Sequence, residues 1–223
     1  MKDLGVLISS DFSWSSHIDE ITSKASKKAG WVLNTFSDRQ PRSMMTLYKS
    51  LVRSLLEYCC PLWNPQDSRN IQKLENIQSS YISKITGLKD LNYWERLSKL
   101  NLDSLQRRRE RYCIIHMWKI LHNLAPNDLS FDFYHHPRLG FKVQRKPILK
   151  PNSKFQSIRD SSFVHIGVRL WNILPKEVSL QSTLSSFKVQ LGNFLAKFPD
   201  KPSIPGLTYV NNNSLLSFPL FLN

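Results

Sequence analysis

Glycine is scarce in this chain: seven among 223 residues. No Walker-type glycine loop and no Gly-x-Ser-x-Gly elbow occurs, so a phosphate-cradling loop and a strained nucleophile turn are both excluded. Cysteine is scarcer still, at Cys59, Cys60 and Cys113. Three thiols cannot build an even disulfide framework, no Cys-x-x-Cys is present, and the count suits a reducing compartment. Cys59 and Cys60 close an apolar run, which predicts packed thiols. No two aspartates are adjacent anywhere in the chain. No apolar stretch approaches the ~20 residues of a membrane helix. No charged start, apolar stretch and small-residue cleavage site mark a secretory signal. An intracellular protein is therefore expected, in nucleus or cytoplasm, with no membrane partner.

What is abundant is positive charge. Lys and Arg number 31 against 17 Asp and Glu, a formal net charge of +14. Such a balance favours polyanions. Hydrophobic residues make up 41% and aromatics 11%, the composition of a folded chain with a sizeable core and not of a disordered tail.

Hydrophobic spacing predicts a mainly helical fold. Leu4 to Ile8 is a β-rich run that turns at Ser9-Ser10-Asp11, read as a short strand or hairpin. Ile18, Ile21, Ala25, Ala29, Val32 and Phe36 then recur at three and four residues, the stripe of an amphipathic helix with Ser15 or Ser16 as its cap. A second helix should run from Pro41 to Cys59, with proline in the first turn where its missing N–H is harmless. A third, with Ser68 near its cap, places Ile71, Leu74, Ile77, Tyr81, Ile82 and Ile85 on one face and stops at Gly87. Residues 93–100 and 103–122 read as a short and a longer helix. Prolines 126, 137, 147 and 151 mark 126–160 as a basic, loop-rich connector with a small hairpin near Gly140. Helices ending at Pro175 and covering Leu184 to Phe198 follow, the second capped by Ser182 or Ser185. The tail from Pro199 is expected to be irregular. Trp31, Trp63, Trp94, Trp118 and Trp171 are assigned to the core, where their area is best buried, and Trp14 to packing beneath the first helix.

Candidate chemistry lies in the basic groups. Lys24, Lys27 and Lys28 sit opposite the apolar stripe of the first helix. Arg107, Arg108, Arg109 and Arg111 fall within two turns, and each guanidinium offers a planar fork that matches phosphate oxygens. The alternative for the arginines is pairing with Glu95, Asp103 and Glu110 to tie helices together; for the lysines it is a solvated face. His135-His136 is the obvious metal-ligand pair, yet no further ligands recur at suitable spacing, so no metal and no cofactor is expected.

A series of phrases runs in fixed order along the chain: Leu4-Gly5-Val6 with residues 7–18; Ser50-Leu51-Val52-Arg53; Leu56-Glu57-Tyr58-Cys59; Pro61-Leu62-Trp63; Lys73-Leu74-Glu75-Asn76-Ile77-Gln78; Tyr93-Trp94-Glu95-Arg96-Leu97; Leu105 with Arg107-Arg108-Arg109; Trp171-Asn172-Ile173-Leu174-Pro175; and Phe187-Lys188. In this order they resemble the C-terminal part of a non-LTR (LINE-type, Jockey-like) retrotransposon reverse transcriptase, over roughly residues 2 to 198. The resemblance implies an aromatic-x-Asp-Asp segment ahead of Leu4-Gly5-Val6 to hold catalytic metal ions. Here only Met1, Lys2 and Asp3 stand there, and Asp3 replaces an expected aromatic residue. The implied fold is a helical thumb-like bundle with a short N-terminal β hairpin and a loop-rich connector to two C-terminal helices. Its divisions would be 1–14 (end of palm and grip hairpin), 15–125 (thumb-like domain), 126–160 (connector), 161–198 (C-terminal helices) and 199–223 (tail). The implied function is non-catalytic binding of template–primer RNA, DNA or RNA–DNA hybrid through the sugar–phosphate backbone, with a missing palm domain as a further partner. The competing reading is a basic all-helical module that docks a protein, and a metal-assisted nuclease is a third with no acidic cluster behind it.

Overall fold

Leu4 and Gly5 turn the chain at its start, both in the left-handed region (φ +42° and +85°). Positive φ at both central residues is what a two-residue hairpin turn demands. The turn joins β1 (Lys2–Asp3) to β2 (Val6–Leu7) in an antiparallel pair, Lys2 opposite Leu7 and Asp3 opposite Val6. The expected hairpin is present, but Leu4-Gly5 forms its tip and not the start of a strand. A second turn follows as foreseen, the Phe12 amide donating to the Ser9 carbonyl at 3.1 Å.

The computed structural model describes residues 1–126, 131–136, 140–145, 162–203 and 213–218. Expectations for the rest of the connector and tail lie outside them. The described part is mainly helical. Compactness divides the chain into one unit of Met1–Cys60, Pro65–Arg108 and Asp200–Asn213, and another of Pro61–Asn64, Arg109–Pro199 and Ser214–Asn223. The sequence divisions follow changes in residue pattern; compactness instead parts the units within one long helix, between Arg108 and Arg109.

In the first unit, α1 (Ser15–Thr35) buries Ile18, Ile21, Ala25, Ala29 and Val32 of the stripe read from spacing, while Phe36, its last member, lies just past the helix and is exposed. Its cap is Trp14, with no side-chain hydrogen bond, so the expected serine cap is corrected. Ser15 lies inside the helix, and its Oγ accepts from Asn70 Nδ2 at 3.0 Å. His17 is buried, its Nδ1 accepting from the Leu7 amide at 3.2 Å, which ties the hairpin to α1. Burial lowers the His17 pKa below 6.5, favouring the neutral ring that this acceptor role requires.

The second predicted helix has three parts: α2 (Pro41–Leu47), a π turn (Tyr48–Val52) and α3 (Arg53–Glu57). Pro41 occupies the first turn as expected. The helix stops at Glu57 and not Cys59, which takes a left-handed φ of +52° and is exposed, against the packed thiol expected there. Met44, Tyr48, Val52 and Leu56 are fully buried. α4 (Cys60–Trp63) is a single turn. α5 (Ser68–Ile82) is capped by Asp67, whose carboxylate accepts from the Asn70 amide at 2.8 Å, with Ser68 next to the cap as expected. It packs against α1 and buries Leu74, Gln78, Tyr81 and Ile82. The helix ends at Ile82, five residues before the stop expected at Gly87, which takes a φ of +77°. α6 (Tyr93–Lys99) opens with a capping box, Asn92 and Glu95 each accepting from the other's amide.

α7 (Leu105–Leu121) is the long helix. In the second unit Ile114, Met117 and Trp118 join Leu170 and Trp171 of α8 (Phe163–Asn172) and Phe187 and Leu191 of α10 (Leu184–Leu195) in one core. Gly167 lets α8 close on α7, since a Cβ there would meet Met117 Sδ at 3.1 Å. The short α9 (Lys176–Ser179) follows Pro175, and α10 is capped by Thr183, not by Ser182 or Ser185. The hairpin expected near Gly140 is formed by β3 (Phe131–His136) and β4 (Gly140–Arg145), with His136 opposite Gly140. Lys142 of β4 is buried, donating to the carbonyls of Asn172 at 2.8 Å and Leu174 at 2.9 Å. It thereby satisfies acceptors at the C-terminal end of α8.

Candidate nucleic-acid interface

Positions 24, 27, 28 and 31 follow the i, i+3, i+4, i+7 rule that places side chains on one helical face. On α1 this face is the one turned from the core, so Lys24, Lys27, Lys28 and Trp31 are all exposed. From position 24 to 31 the axis advances about 10 Å, comparable to roughly three stacked nucleotides of one strand. Lys28 Nζ stands 5.0 Å from the Trp31 ring centroid, a cation–π contact. Trp31 is 50% exposed, which corrects its assignment to the core: its neighbour Val32 takes the buried position. The signal was available in its three-residue spacing from Lys28.

Acidic side chains at the start of α1 are engaged. Glu20 accepts from Lys24 and, at 2.6 Å, from Lys2, and these hydrogen bonds hold its carboxyl down at about 2. Asp19 is paired with Lys73 of α5. Lys27 and Lys28 are the lysines of this face that carry no carboxylate partner in the described salt bridges.

The arginine run is placed differently from the lysines. Arg107 is 2% exposed and Arg109 0%, so these two guanidinium groups are withdrawn from any phosphate at the surface. This corrects the picture of four guanidinium groups fanned around an exposed helix end. Arg109 Nε donates to Asn64 Oδ1 at 3.1 Å. Arg108 forks onto Glu57, its Nη2 donating to Oε2 at 3.0 Å and its Nε to Oε1. Arg111 is partly exposed and donates to the Lys188 carbonyl at 3.1 Å. Pairing ties Arg108 to Glu57 of a second helix, α3. Glu95 serves its own capping box, and Glu110 accepts from Ser214 Oγ at 2.5 Å and the Leu215 amide at 3.1 Å.

The other aromatics follow the expectation more closely. Trp63, Trp118 and Trp171 are buried, and Trp94 is half-buried with Nε1 donating to the Pro202 carbonyl at 2.8 Å. Trp14 is half-buried, edge-on to His17 with ring centroids 6.5 Å apart. Among the described residues no three His, Cys, Asp or Glu side chains come together as metal ligands would, and no helix is long and apolar enough to cross a membrane.

Comparison with known proteins adds two relatives. The chain is 26% identical over 208 residues to an uncharacterized protein of Caenorhabditis elegans, covering 91% of this chain and 96% of that one. It is 27% identical over 89 residues to a probable RNA-directed DNA polymerase from transposon X-element of Drosophila melanogaster, covering 39% of this chain. That stretch spans only 10% of the polymerase's own length. No family model matches the chain, and no solved structure matches it. The similarity is thus to part of a transposon-encoded RNA-directed DNA polymerase, within a sequence that is also similar to a worm protein along nearly its whole length.

Proposed function

We propose that this chain is a non-catalytic, thumb-like part related to retrotransposon RNA-directed DNA polymerases, and that it holds the sugar–phosphate backbone of RNA, DNA or an RNA–DNA hybrid. The observation that carries the reading is the exposed row Lys24, Lys27 and Lys28 on one face of α1. Ammonium groups so arranged act as point charges toward phosphates, and backbone contacts of this kind are tolerant of sequence. The net charge of +14 raises the local concentration of any polyanion around that face. The partial likeness to the X-element polymerase supplies the family context.

Titration of the purified chain against a fluorescent RNA–DNA hybrid, a DNA duplex and a single strand at two salt concentrations tests it. Binding is expected to weaken steeply with salt. The triple variant Lys24→Gln, Lys27→Gln, Lys28→Gln should flatten the log–log slope on duplex DNA by about 1.8 to 2.7, at about 0.9 per phosphate contact, the lower figure applying where Lys24 stays with Glu20. A wild-type chain that binds none of the three at low salt sinks the proposal. Primer extension with added Mg²⁺ should yield no product, the chain having no adjacent aspartates.

The second reading is a protein-docking module, favoured by apolar surface at the first hairpin. Leu4 is 83% exposed and Tyr58 55%, the Tyr58 hydroxyl donating to the Leu4 carbonyl at 3.1 Å. Gel filtration without nucleic acid separates the readings: self-association favours docking, and a monomer that binds nucleic acid favours the first.

A further inference from the structure

A tryptophan left half in water beside lysines is an uncommon use of the residue with the most apolar area to bury. On α1 the exposed face does not end with Lys28. It continues to Trp31 and then to Phe36, 38% exposed, whose ring stands nearly perpendicular to Trp31 at 6.3 Å between centroids. Past Phe36 the surface dips into an open groove of about 480 Å³ lined by Phe36, Asp38, Arg42, Ser43, Thr46 and Leu47. Small-molecule clefts of roughly 300–1,000 Å³ combine apolar walls with a few polar groups, and this more open groove has that mixture of linings. Asp38 accepts from the Gln40 amide at 2.9 Å, while Arg42 brings an exposed guanidinium to the same groove.

We propose that Trp31, Phe36 and the groove beyond them bind an unpaired nucleobase of a single strand whose phosphates run along Lys24, Lys27 and Lys28. The proposal rests on the nucleic-acid reading above and adds a class of ligand to it: an unstacked base, from RNA or DNA, and not only a duplex backbone. Charge complementarity selects this occupant over an apolar peptide. The approach to the rings is lined with cations, and the Lys28 ammonium already lies over the Trp31 face. Exposed aromatic rings flanked by cations are the arrangement by which single strands are held without regard to sequence, because every base has a π face. Arg42 is placed to meet a phosphate on the far side of the stacked base.

The test compares the full chain with Trp31→Ala, Trp31→Phe and Arg42→Gln, by fluorescence anisotropy on single-stranded RNA, single-stranded DNA and a blunt RNA–DNA hybrid. Trp31→Ala should weaken binding to at least one single strand by about five-fold or more, the low end for loss of one stacked base. Its affinity for the blunt hybrid and its salt slope should not change, since stacking neutralises no phosphate. Trp31→Phe should retain most of the affinity, and Arg42→Gln should weaken the single strand alone. Equal losses on strand and hybrid, or no loss on either strand, overturn the stacking site while leaving the lysine face standing. Failure of the wild-type chain to bind any nucleic acid overturns both. A Trp31→Ala chain that loses self-association yet keeps its nucleic-acid affinity marks the face as a protein contact and overturns the proposal.

Discussion

Arg109 holds its guanidinium with none of its surface exposed, one nitrogen donating to Asn64 Oδ1, while Asn64 in turn donates toward Cys113 Sγ at 3.9 Å. A charge so placed was desolvated on folding and is kept by the groups packed around it. Truncating one partner in a buried polar cluster leaves the others without theirs. Arg109→Ala should therefore lower stability by about 2–3 kcal/mol, the upper part of the range for leaving a buried polar partner unmet, read as a shift in urea midpoint. Arg111→Ala, which removes a donor at a partly exposed site, should cost about 1 kcal/mol. Equal effects would contradict the division drawn here between buried and surface arginines. The run of arginines was legible in the sequence; which of them face inward was not. Residues 107, 109 and 110 are buried beside Leu105, so the buried side of the helix start is made of polar residues. A stripe defined by apolar residues alone cannot reveal that.

At the scale of elements, polar residues join helices far apart in the chain. Tyr48 in the π turn donates to Gln78 Oε1 at 2.7 Å, and Gln78 Nε2 donates to the Tyr93 hydroxyl at 2.9 Å. Tyr93 donates to Glu75 Oε2 at 2.7 Å, and Glu75 Oε1 accepts from the Gln106 amide in the first turn of α7, also at 2.7 Å. Burial, with the Glu75 charge nearby, pushes the Tyr48 and Tyr93 phenols well above 10.0, and burial pushes Tyr81 up to about 12. The folded chain thus keeps protons that the unfolded chain loses once the pH passes 10. Their contribution is complete below about pH 10 and declines as pH rises toward the folded values. The urea midpoint should accordingly fall between about pH 10 and pH 12, and Tyr48→Phe should flatten that fall because it removes one titrating group. A midpoint flat across this range would refute the assignment. Helix positions could be read from apolar spacing because α1, α2 and α5 each bury one such face. The caps at Trp14 and Thr183 escaped because a cap is set by where the backbone leaves helical geometry, one residue from serines that looked suitable. The tyrosine network escaped because its partners lie 15 to 30 residues apart.

For the molecule as a whole, the first unit is completed by a distant stretch of chain. Asp200 Oδ2 accepts from the Ser104 amide at 2.6 Å, and its Oδ1 accepts from Ser104 Oγ and Asn213 Nδ2, each at 2.7 Å. Asp200 thereby braces the residue at the start of α7, nearly a hundred positions after it in the chain. Asp200→Ala should destabilise the chain by about 1–3 kcal/mol, the scale for leaving buried donors unmet, and should speed amide exchange at Ser104. Unchanged exchange there would exclude the brace. Composition could announce the excess of positive charge, and spacing could announce the lysine row. The half-exposed Trp31 was within reach of spacing; the groove beyond it depended on how the chain turns from Phe36 into α2, which no local pattern encodes.

The π turn at Tyr48–Val52 has an implication for descent. Such a turn accommodates one residue more than α spacing requires, and each residue of an α-helix turns the chain by about 100°. A homologue one residue shorter between 48 and 52 would close the wide turn into an unbroken α-helix and keep Leu56 and Glu57 on their present bearing, because the wide turn absorbs the extra residue instead of passing it on as a rotation of about 100°. A single-residue gap at this point in an alignment should therefore leave positions 57 and 108 as they are. A gap later in the helix, between 53 and 57, should travel with changes at both, so that the salt bridge records where an insertion was absorbed.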